Sequence, residues 1–462
     1  MDGIKPVELQ EPLAELARDP KRFAHDLQFP PTGKIRVYDD TLRDGEQMPG
    51  VALSPKDKYE LARMLADIGV HIMDVGFPSV SESERETLRL VLDGRRRGEL
   101  REDLEVLCMM RSTKGDIDAT MRVIDSLGIK RSEVTYFIFT SASDLHVKYK
   151  LGKTLLHREG IPESEWLELP VSFYRQANLR MMCEAIRYAR EQGATSIEFG
   201  GEDGSRADVD YIGEIHREGL KAGGTRPSTP DTVGCYSPFA VRECIPRIKA
   251  AAPEAPLVVH FHNDLGLGAW NTVMALGSGA EVFTTSVNGI GERTGNAPMH
   301  QVLLQLRYLF GIEIPHFKYE KLRELARHLE RISGVPVQPT EPGIGLNVFS
   351  HESGIHTAGM LIHPAIYQFI PPTDLGAEVN YVYGKHSGAV SIEHALREAG
   401  IRPEPELVSN VMNEVKRIRE ERAKRSDFSD FHRRYYEHLN RLGLTADEVV
   451  EIAKALGGGR QR

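Results

Sequence analysis

Short apolar runs alternate with amphipathic segments along the chain from residue 35 to about residue 312. In the first amphipathic segment Ser54 precedes a proline and predicts a capped helix start, Leu61 and Ile68 share one face, and Gly69 predicts the end. Strands that alternate with such helices are typical of a parallel sheet. The apolar runs predict strands at Ile35–Tyr38, His71–Gly76, Leu104–Met109, Val134–Thr140, Ser196–Phe199, Leu257–His262 and Val282–Val287.

A closed barrel needs one strand more than these runs supply. The missing strand should lie between a helix that ends near Gly223 and one that begins near Ser237. The segment there, Thr225–Gly234, is rich in proline, but we place the sixth strand in it because a gap would leave the barrel open. We therefore predict an α/β fold, a (β/α)8 TIM barrel followed by a mainly helical C-terminal subdomain. The predicted divisions are an N-terminal extension (1–34), a catalytic barrel (35–315), a linker and subdomain (316–400) and a helical region (401–462).

The connection at residues 145–171 is longer than a normal strand-to-helix connection, and its part Leu155–Pro170 is rich in Glu. Long loops in compact domains serve as lids over a site or as surface insertions, and the sequence leaves both open.

The composition is that of a globular protein, with 40% hydrophobic and 27% charged residues. The net charge of −9 argues against a nucleic-acid partner, because phosphate binding needs a basic face. The basic stretch Lys416–Arg425 is interrupted by glutamates and predicts a solvated helix face. Four widely spaced cysteines without a CxxC pair indicate a reducing compartment. Since no run has the length of a membrane helix and the N-terminus lacks a signal-peptide core, we expect a cytoplasmic protein without a membrane partner.

Chemistry-bearing residues follow two of the predicted strands. The stretch Asp39–Gln47 places Arg43 and Asp44 where the first strand ends, and a guanidinium there can bind a carboxylate while a carboxylate can bind a metal. His260 and His262 alternate on one strand and therefore point to one side, as a metal-binding pair does. Two structural histidines in the core are the alternative interpretation.

A third motif, Asn288–Asn296, is a glycine-rich loop after the last strand, where the backbone can approach a ligand or simply turn. Together the motifs resemble those of the metal-dependent acyl-CoA:2-oxo acid condensing enzymes, which are the isopropylmalate, homocitrate and citramalate synthases. The resemblance spans roughly residues 35–400 in family order and rests on Asp40–Gly45, Asp74–Pro78, Ser143–Thr154, Glu202-Asp203, Pro230–Gly234, His260–Gly266, Asn288–Ala297, His351–His356 and Gly384–Gly388.

The resemblance implies roles for individual residues. The implied metal ligands are Asp44, His260, His262 and Asn296. The implied catalytic residues are Arg43, which grips the 2-oxo acid, Glu202, and the proton-handling pair His356 and Tyr367, which would act from the partner subunit of a homodimer. The implied substrate-binding residues are Arg43, Gln47, Asp74, His146, Gly200, Gly201 and Thr232.

The resemblance also implies a reaction, a Claisen condensation of acetyl-CoA with a 2-oxo acid. His356 would remove a proton from the acetyl methyl group, and the metal and Arg43 would stabilise the developing alkoxide. Zn²⁺ suits the imidazole pair, whereas Mg²⁺ or Mn²⁺ suits the oxygen ligands. The alternatives are a lyase resembling hydroxymethylglutaryl-CoA lyase, which lacks the segment after the barrel, and a non-catalytic metal-binding regulator.

Two positions depart from the family pattern and bear on the substrate. Asp74 stands where Glu is usual, and Gly200-Gly201 stand where isopropylmalate synthases usually have Ser-Pro or Ser-Cys. Both should lie near the tail of the oxo acid, and the smaller residues suggest a roomier or differently polar pocket. The sequence also ends without the long regulatory domain of leucine-inhibited synthases, so we expect no leucine feedback of that type.

Overall fold

The predicted barrel is present in the computed structural model, which describes residues 7–10, 12–17, 19, 21, 26–424, 430, 434 and 444–455. Eight parallel strands follow one another around a closed sheet, and the first pairs with the last. The strands are β1 (Arg36–Asp39), β2 (Ile72–Asp74), β3 (Glu105–Arg111), β4 (Thr135–Ser141), β5 (Ser196–Glu202), β6 (Arg226–Asp231), β7 (Val258–Phe261) and β8 (Val282–Thr285). The prediction of a TIM barrel is therefore confirmed.

The proline-rich segment does form β6, although Pro227 and Pro230 lack the N–H of an ordinary strand residue. Pro227 pairs with Phe199 of β5, and Pro230 pairs with His260 of β7. Neighbours on both sides fix this strand, so tertiary context outweighs its poor intrinsic preference.

Helices separate the strands, and the first long one begins and ends where its sequence predicts. The Ser54 hydroxyl accepts a hydrogen bond from the Asp57 N–H, and the Asp57 carboxylate accepts one from the Ser54 N–H. Gly69 ends this helix with φ at +114°. The helices before β8 are α1 (Leu13–Leu16), α2 (Pro55–Ile68), α3 (Glu82–Arg96), α4 (Lys114–Ser126), α5 (Gly152–Arg158), α6 (Val171–Glu191), α7 (Val209–Lys221), α8 (Pro238–Ala250) and α9 (Gly268–Leu276).

In the described part of the chain, the helices after β8 are α10 (Met299–Phe310), α11 (Leu322–Ser333), α12 (Gly354–Ile362), α13 (Ala389–Glu398), α14 (Pro405–Lys424) and α15 (Ala446–Ala455). The chain forms two compact units, of which one contains the described residues within 23–318 and 325–333, including the barrel. The other contains the described residues within 1–22, 319–324 and 334–462, including a two-stranded parallel sheet of β9 (Ser350–His351) and β10 (Asn380–Tyr381). Arg425, the last residue of the predicted basic stretch, lies outside the described residues.

Apolar side chains fill the inner part of the barrel. Tyr38, Ile72, Leu107 and Val258 belong to one buried cluster, and each comes from a different strand. No helix in the described part of the chain is both long enough and apolar enough to cross a bilayer.

A buried lysine joins the loops after β1 and β2. Lys58 on α2 is fully buried, and its ammonium lies 2.5 Å from a carboxylate oxygen of Glu46 and also pairs with Glu84. Glu84 in turn accepts a hydrogen bond from the N–H of Phe77. Glu46 lies in the loop after β1, and Glu84 on α3 holds Phe77 of the loop after β2, so Lys58 links both loops.

We expect Lys58→Met to lower the free energy of unfolding by ~3–5 kcal/mol, because it leaves two partly buried carboxylates without their counter-charge. Urea unfolding measures this loss. The control is Lys221→Met, which removes an exposed lysine from a surface pair with Glu218 and should cost less than ~1 kcal/mol. Equal losses in the two variants would contradict the role of Lys58.

Candidate active site

A cavity of about 310 Å³ opens at the ends of the barrel strands. Its side chains form three groups. The first group consists of Arg43, Asp44, His260, His262 and Arg293; the apolar group includes Phe77, Met109, Phe137 and Phe139; the remaining polar group includes Tyr38, Gln47, Lys150, Glu198, Glu202, Ser228, Thr232, Thr284 and Glu292. This is the end of the barrel at which TIM-barrel enzymes carry their chemistry.

The centre of the first group is the carboxylate of Asp44. Its Oδ2 lies 3.3 Å from Nε2 of His260 and 3.9 Å from Nε2 of His262, and it accepts a hydrogen bond of 3.1 Å from the Asn296 amide. Its Oδ1 lies 3.3 Å from Nη1 of Arg43. The structure thus brings together all four residues that the resemblance implied as metal ligands.

The far side of the His260 ring is also held. Its Nδ1 lies 3.1 Å from Oδ2 of Asp40 and 2.6 Å from the hydroxyl of Thr284. The Asn296 amide donates to Asp40 as well, at 3.2 Å. A carboxylate behind a histidine fixes the ring and its tautomer and leaves the other nitrogen for a metal.

Electrostatics favour the metal-binding forms of Asp44 and His262. Burial would raise the pKa of Asp44, but Arg43, His260 and His262 outweigh it and lower that pKa to about 2. Burial and the neighbouring His260 lower the pKa of His262 to about 3. At neutral pH, Asp44 is therefore a carboxylate and His262 a neutral imidazole, which are the forms that bind metals.

The donor set fits a divalent cation. Single atoms of Asp44, His260 and His262 all lie within 4.8 Å of one another, which is a few tenths of an ångström above the ~4.4 Å that can separate two ligand atoms ~2.0–2.2 Å from one ion. Asn296 Oδ1 is buried without a hydrogen-bond partner in the described part of the chain. Since a half turn of that amide exchanges its oxygen and nitrogen, Asn296 can offer the oxygen to the same point.

Arg43 is anchored on its far side. Its Nε donates to Oδ2 of Asp74 at 2.7 Å, and Asp74 is fully buried. Burial raises the pKa of Asp74 to about 6, although Arg43 opposes the shift. Asp74 therefore positions the guanidinium of Arg43. Asp74 itself is absent from the lining of the cavity.

The long connection at residues 145–171 contributes further polar side chains to the site. Val147, Leu155 and Leu156 of this connection are buried against α6, so it is a packed part of the unit. It brings Lys150 into an ion pair with Glu202 and places Nδ1 of His146 4.0 Å from the same carboxylate.

The neighbouring residue Asp203 orders the loops around this group. Its N–H donates to the Thr232 hydroxyl at 2.8 Å, and its Oδ2 lies 3.6 Å from Nε2 of His146. Burial lowers the pKa of His146 despite these carboxylates, so the ring is neutral at neutral pH.

The two glycines implied in substrate binding behave differently. Gly200 lines the cavity, and a Cβ there would lie 2.3 Å from the backbone oxygen of Ser228. A Cβ at Gly201 would meet Ala142 at 2.7 Å instead, and Gly201 is not in the lining. Both glycines allow close packing between strands.

His356 and Tyr367 lie in the other unit. Their rings stack with centroids 4.1 Å apart and planes 18° apart, and Tyr367 is 39% exposed. Their role in proton transfer stays a prediction.

Some residues of the site were not predicted. Asp40 and Thr284 contact Nδ1 of His260. Glu198 lines the cavity from within β5. A signal for Glu198 existed, because Glu198, Gly200 and Glu202 alternate on one face of that strand.

Comparisons with known proteins found two matching families and several named relatives. Residues 34–158 and 161–329 match the family described as HMGL-like, and residues 344–423 match the homocitrate synthase post-HMGL domain-like family. The chain is 34% identical to homocitrate synthase AksA of Methanopyrus kandleri, over 85% of this chain and 90% of that protein. It is 36% identical to a probable 2-isopropylmalate synthase of Ignicoccus hospitalis, over 86% of this chain and 90% of that protein.

Among solved structures, the HMG-CoA lyase of Bacillus subtilis has a TM-score of 0.50 at 19% identity and covers 67% of this chain and 97% of its own. At that identity the likeness supports the fold alone.

Proposed function

We infer the reaction from one premise: the chain belongs to the HMGL-like family. It also carries the post-HMGL domain, and relatives that span most of it are named as synthases of homocitrate and 2-isopropylmalate. The protein is therefore an acyltransferase that condenses acetyl-CoA with a 2-oxo acid. The lyase and the non-catalytic regulator are not favoured.

We propose that Asp44, His260 and His262 hold a divalent metal, with Asn296 as a further ligand. The convergence of the two Nε2 atoms on a charged, buried carboxylate carries this proposal. A divalent ion bound there supplies Lewis acidity toward the ketone oxygen of the substrate. The imidazoles suit Zn²⁺, and the carboxylate and amide oxygens suit Mg²⁺ or Mn²⁺.

We propose that Arg43 binds the carboxylate of the 2-oxo acid. Its guanidinium lines the cavity while Asp74 and Asp44 hold it in position. A fixed guanidinium binds a carboxylate strongly and adds stabilisation when negative charge develops on the former ketone oxygen. Gln47 and Thr232 line the same cavity and complete the polar surroundings of the substrate.

The condensation needs a base that takes a proton from the acetyl methyl group. We propose His356 for this step, with Tyr367 stacked against it and Glu202 as a carboxylate of the active site. The resulting carbanion forms a bond to the ketone carbon, the alkoxide takes up a proton, and water cleaves the thioester to release CoA. The proposal includes a cytoplasmic homodimer in which His356 serves the partner's cavity.

Release of free CoA from acetyl-CoA tests this function. With pyruvate, 2-oxoisovalerate, 2-oxoglutarate and oxaloacetate as substrates, we expect CoA release with at least one of them. A chelator should abolish the reaction, and added Zn²⁺, Mg²⁺ or Mn²⁺ should restore it. Absence of CoA release with every oxo acid would refute the synthase function. Full activity in the presence of chelator would refute only the proposed need for a metal.

We expect His356→Ala to lower kcat by ~10²–10⁴-fold, because a positioned base contributes about that much, while the bound metal stays unchanged. Steady-state kinetics and metal analysis of the same sample measure the two effects. The control is His394→Ala, which removes a histidine that packs on Tyr381 in the same unit and should leave kcat nearly unchanged. A normal kcat in His356→Ala would remove this residue from proton transfer.

A further inference from the structure

Lys58 carries a charge that the proposed reaction does not use. The residue is 0% exposed, and it is absent from the lining of the cavity. A lysine is almost never fully buried unless it is paired. A buried ion pair is also a poor source of stability, because apolar side chains of similar volume often stabilise a protein as well or better. What Lys58 does for the two carboxylates that it binds therefore needs another explanation.

The first of these carboxylates belongs to the turn that follows the proposed metal ligand. Glu46 lies between Asp44 and Gln47, in a short 3-10 helix after β1. Its Oε2 lies 2.5 Å from Nζ of Lys58, and its Oε1 accepts a hydrogen bond of 2.7 Å from the N–H of Leu53. Both carboxylate oxygens are thus occupied, and the turn is tied to α2 through Lys58.

The second carboxylate belongs to α3 and supports the loop after β2. Oε2 of Glu84 accepts a hydrogen bond of 2.8 Å from the N–H of Phe77, a residue of the cavity lining. Lys58 pairs with Oε1 of the same carboxylate. Gly76 has φ at +135°, and a side chain there would overlap with the Glu84 carboxylate, so the backbone of this loop packs directly on that group.

The two loops meet again at the guanidinium of Arg43. Its Nη1 lies 3.3 Å from Oδ1 of Asp44, and its Nε donates to Oδ2 of Asp74 at 2.7 Å. The N–H of Gly76 donates to Oδ1 of Asp74 at 3.2 Å. Contacts therefore run in a closed ring from Lys58 through the loop after β1 to Arg43 and Asp74, and back through the loop after β2.

We propose that Lys58 is a positioning residue of the active site: by binding the two carboxylates it sets the distance between the loops after β1 and β2, and with it the positions of Arg43 and Asp44. This inference rests on the proposed function, in which Arg43 binds the oxo acid and Asp44 the metal. Lys58 is buried outside the cavity, so it acts only through the residues that it holds. A misplacement of about 1 Å caused far from the chemistry can lower a rate ~10²-fold.

The test separates position from stability with a variant that removes all three charges. Lys58→Met alone leaves two carboxylates without their counter-charge. The triple variant Lys58→Met, Glu46→Gln, Glu84→Gln removes those charges and keeps amide oxygens for the N–H groups of Leu53 and Phe77. We expect the triple variant to regain most of the urea-unfolding midpoint that Lys58→Met loses. Its kcat/KM for the oxo acid, measured with saturating metal, should nevertheless stay ~10–100-fold below that of the unmodified enzyme.

The matched control is Lys221→Met with Glu218→Gln, which removes an exposed ion pair from α7 and should change kcat/KM less than ~2-fold. Recovery of kcat/KM together with stability in the triple variant would overturn the proposal, because Lys58 would then serve stability alone. An equal loss of kcat/KM in the control would overturn it as well.

Zinc titration of a single variant covers the case in which the triple variant does not fold. Glu46→Gln weakens only the contact between Lys58 and the turn beside Asp44, and its zinc dissociation constant should rise at least ~10-fold, whereas that of Glu218→Gln should not change. An unchanged constant in folded Glu46→Gln would overturn the role of Lys58 and leave the synthase function standing. Absence of CoA release by the unmodified enzyme with every oxo acid would instead refute the proposed function, and with it the role that rests on it.

Discussion

The arrangement of side chains at the mouth of the barrel depends on one buried charge, the carboxylate of Asp44. Arg43, His260, His262 and Asn296 all approach it, although they come from different loops and strands. A carboxylate in this position is stable only because these groups offset the loss of water. The same arrangement keeps Asp44 charged and His262 neutral at neutral pH, so the interactions that stabilise the fold also prepare the proposed metal site.

The cavity combines two kinds of surface. At the mouth lie the proposed metal ligands and Arg43, which we propose recognise the ketone and the carboxylate that every 2-oxo acid has. The lining also includes the apolar side chains Phe77, Met109, Phe137 and Phe139. Family membership identifies the reaction as a condensation of acetyl-CoA with a 2-oxo acid.

Much of this architecture could be predicted from the sequence. Alternating apolar runs and helices gave the barrel strands, and the ends of β1 and β7 gave Asp44, His260 and His262, because strand ends and a two-residue period are local signals. The contacts of Arg226 with Glu105, 121 residues away, have no local signal. The register of the barrel strands brings Arg226 and Glu105 together, and it also brings Thr284 to His260. Pairing with neighbours on both sides makes the proline-rich segment the strand β6.

We propose that Asp44 organises a metal site needed for catalysis, and titration of metal-free protein with Zn²⁺ or Mn²⁺ measures whether it does. We expect one ion per chain for the unmodified protein and for the surface variant Asp210→Asn. Asp44→Asn, which keeps the side-chain shape, should bind at least ~100-fold more weakly while urea unfolding shows a folded protein. Undiminished binding of one ion by folded Asp44→Asn would refute the proposed role of Asp44.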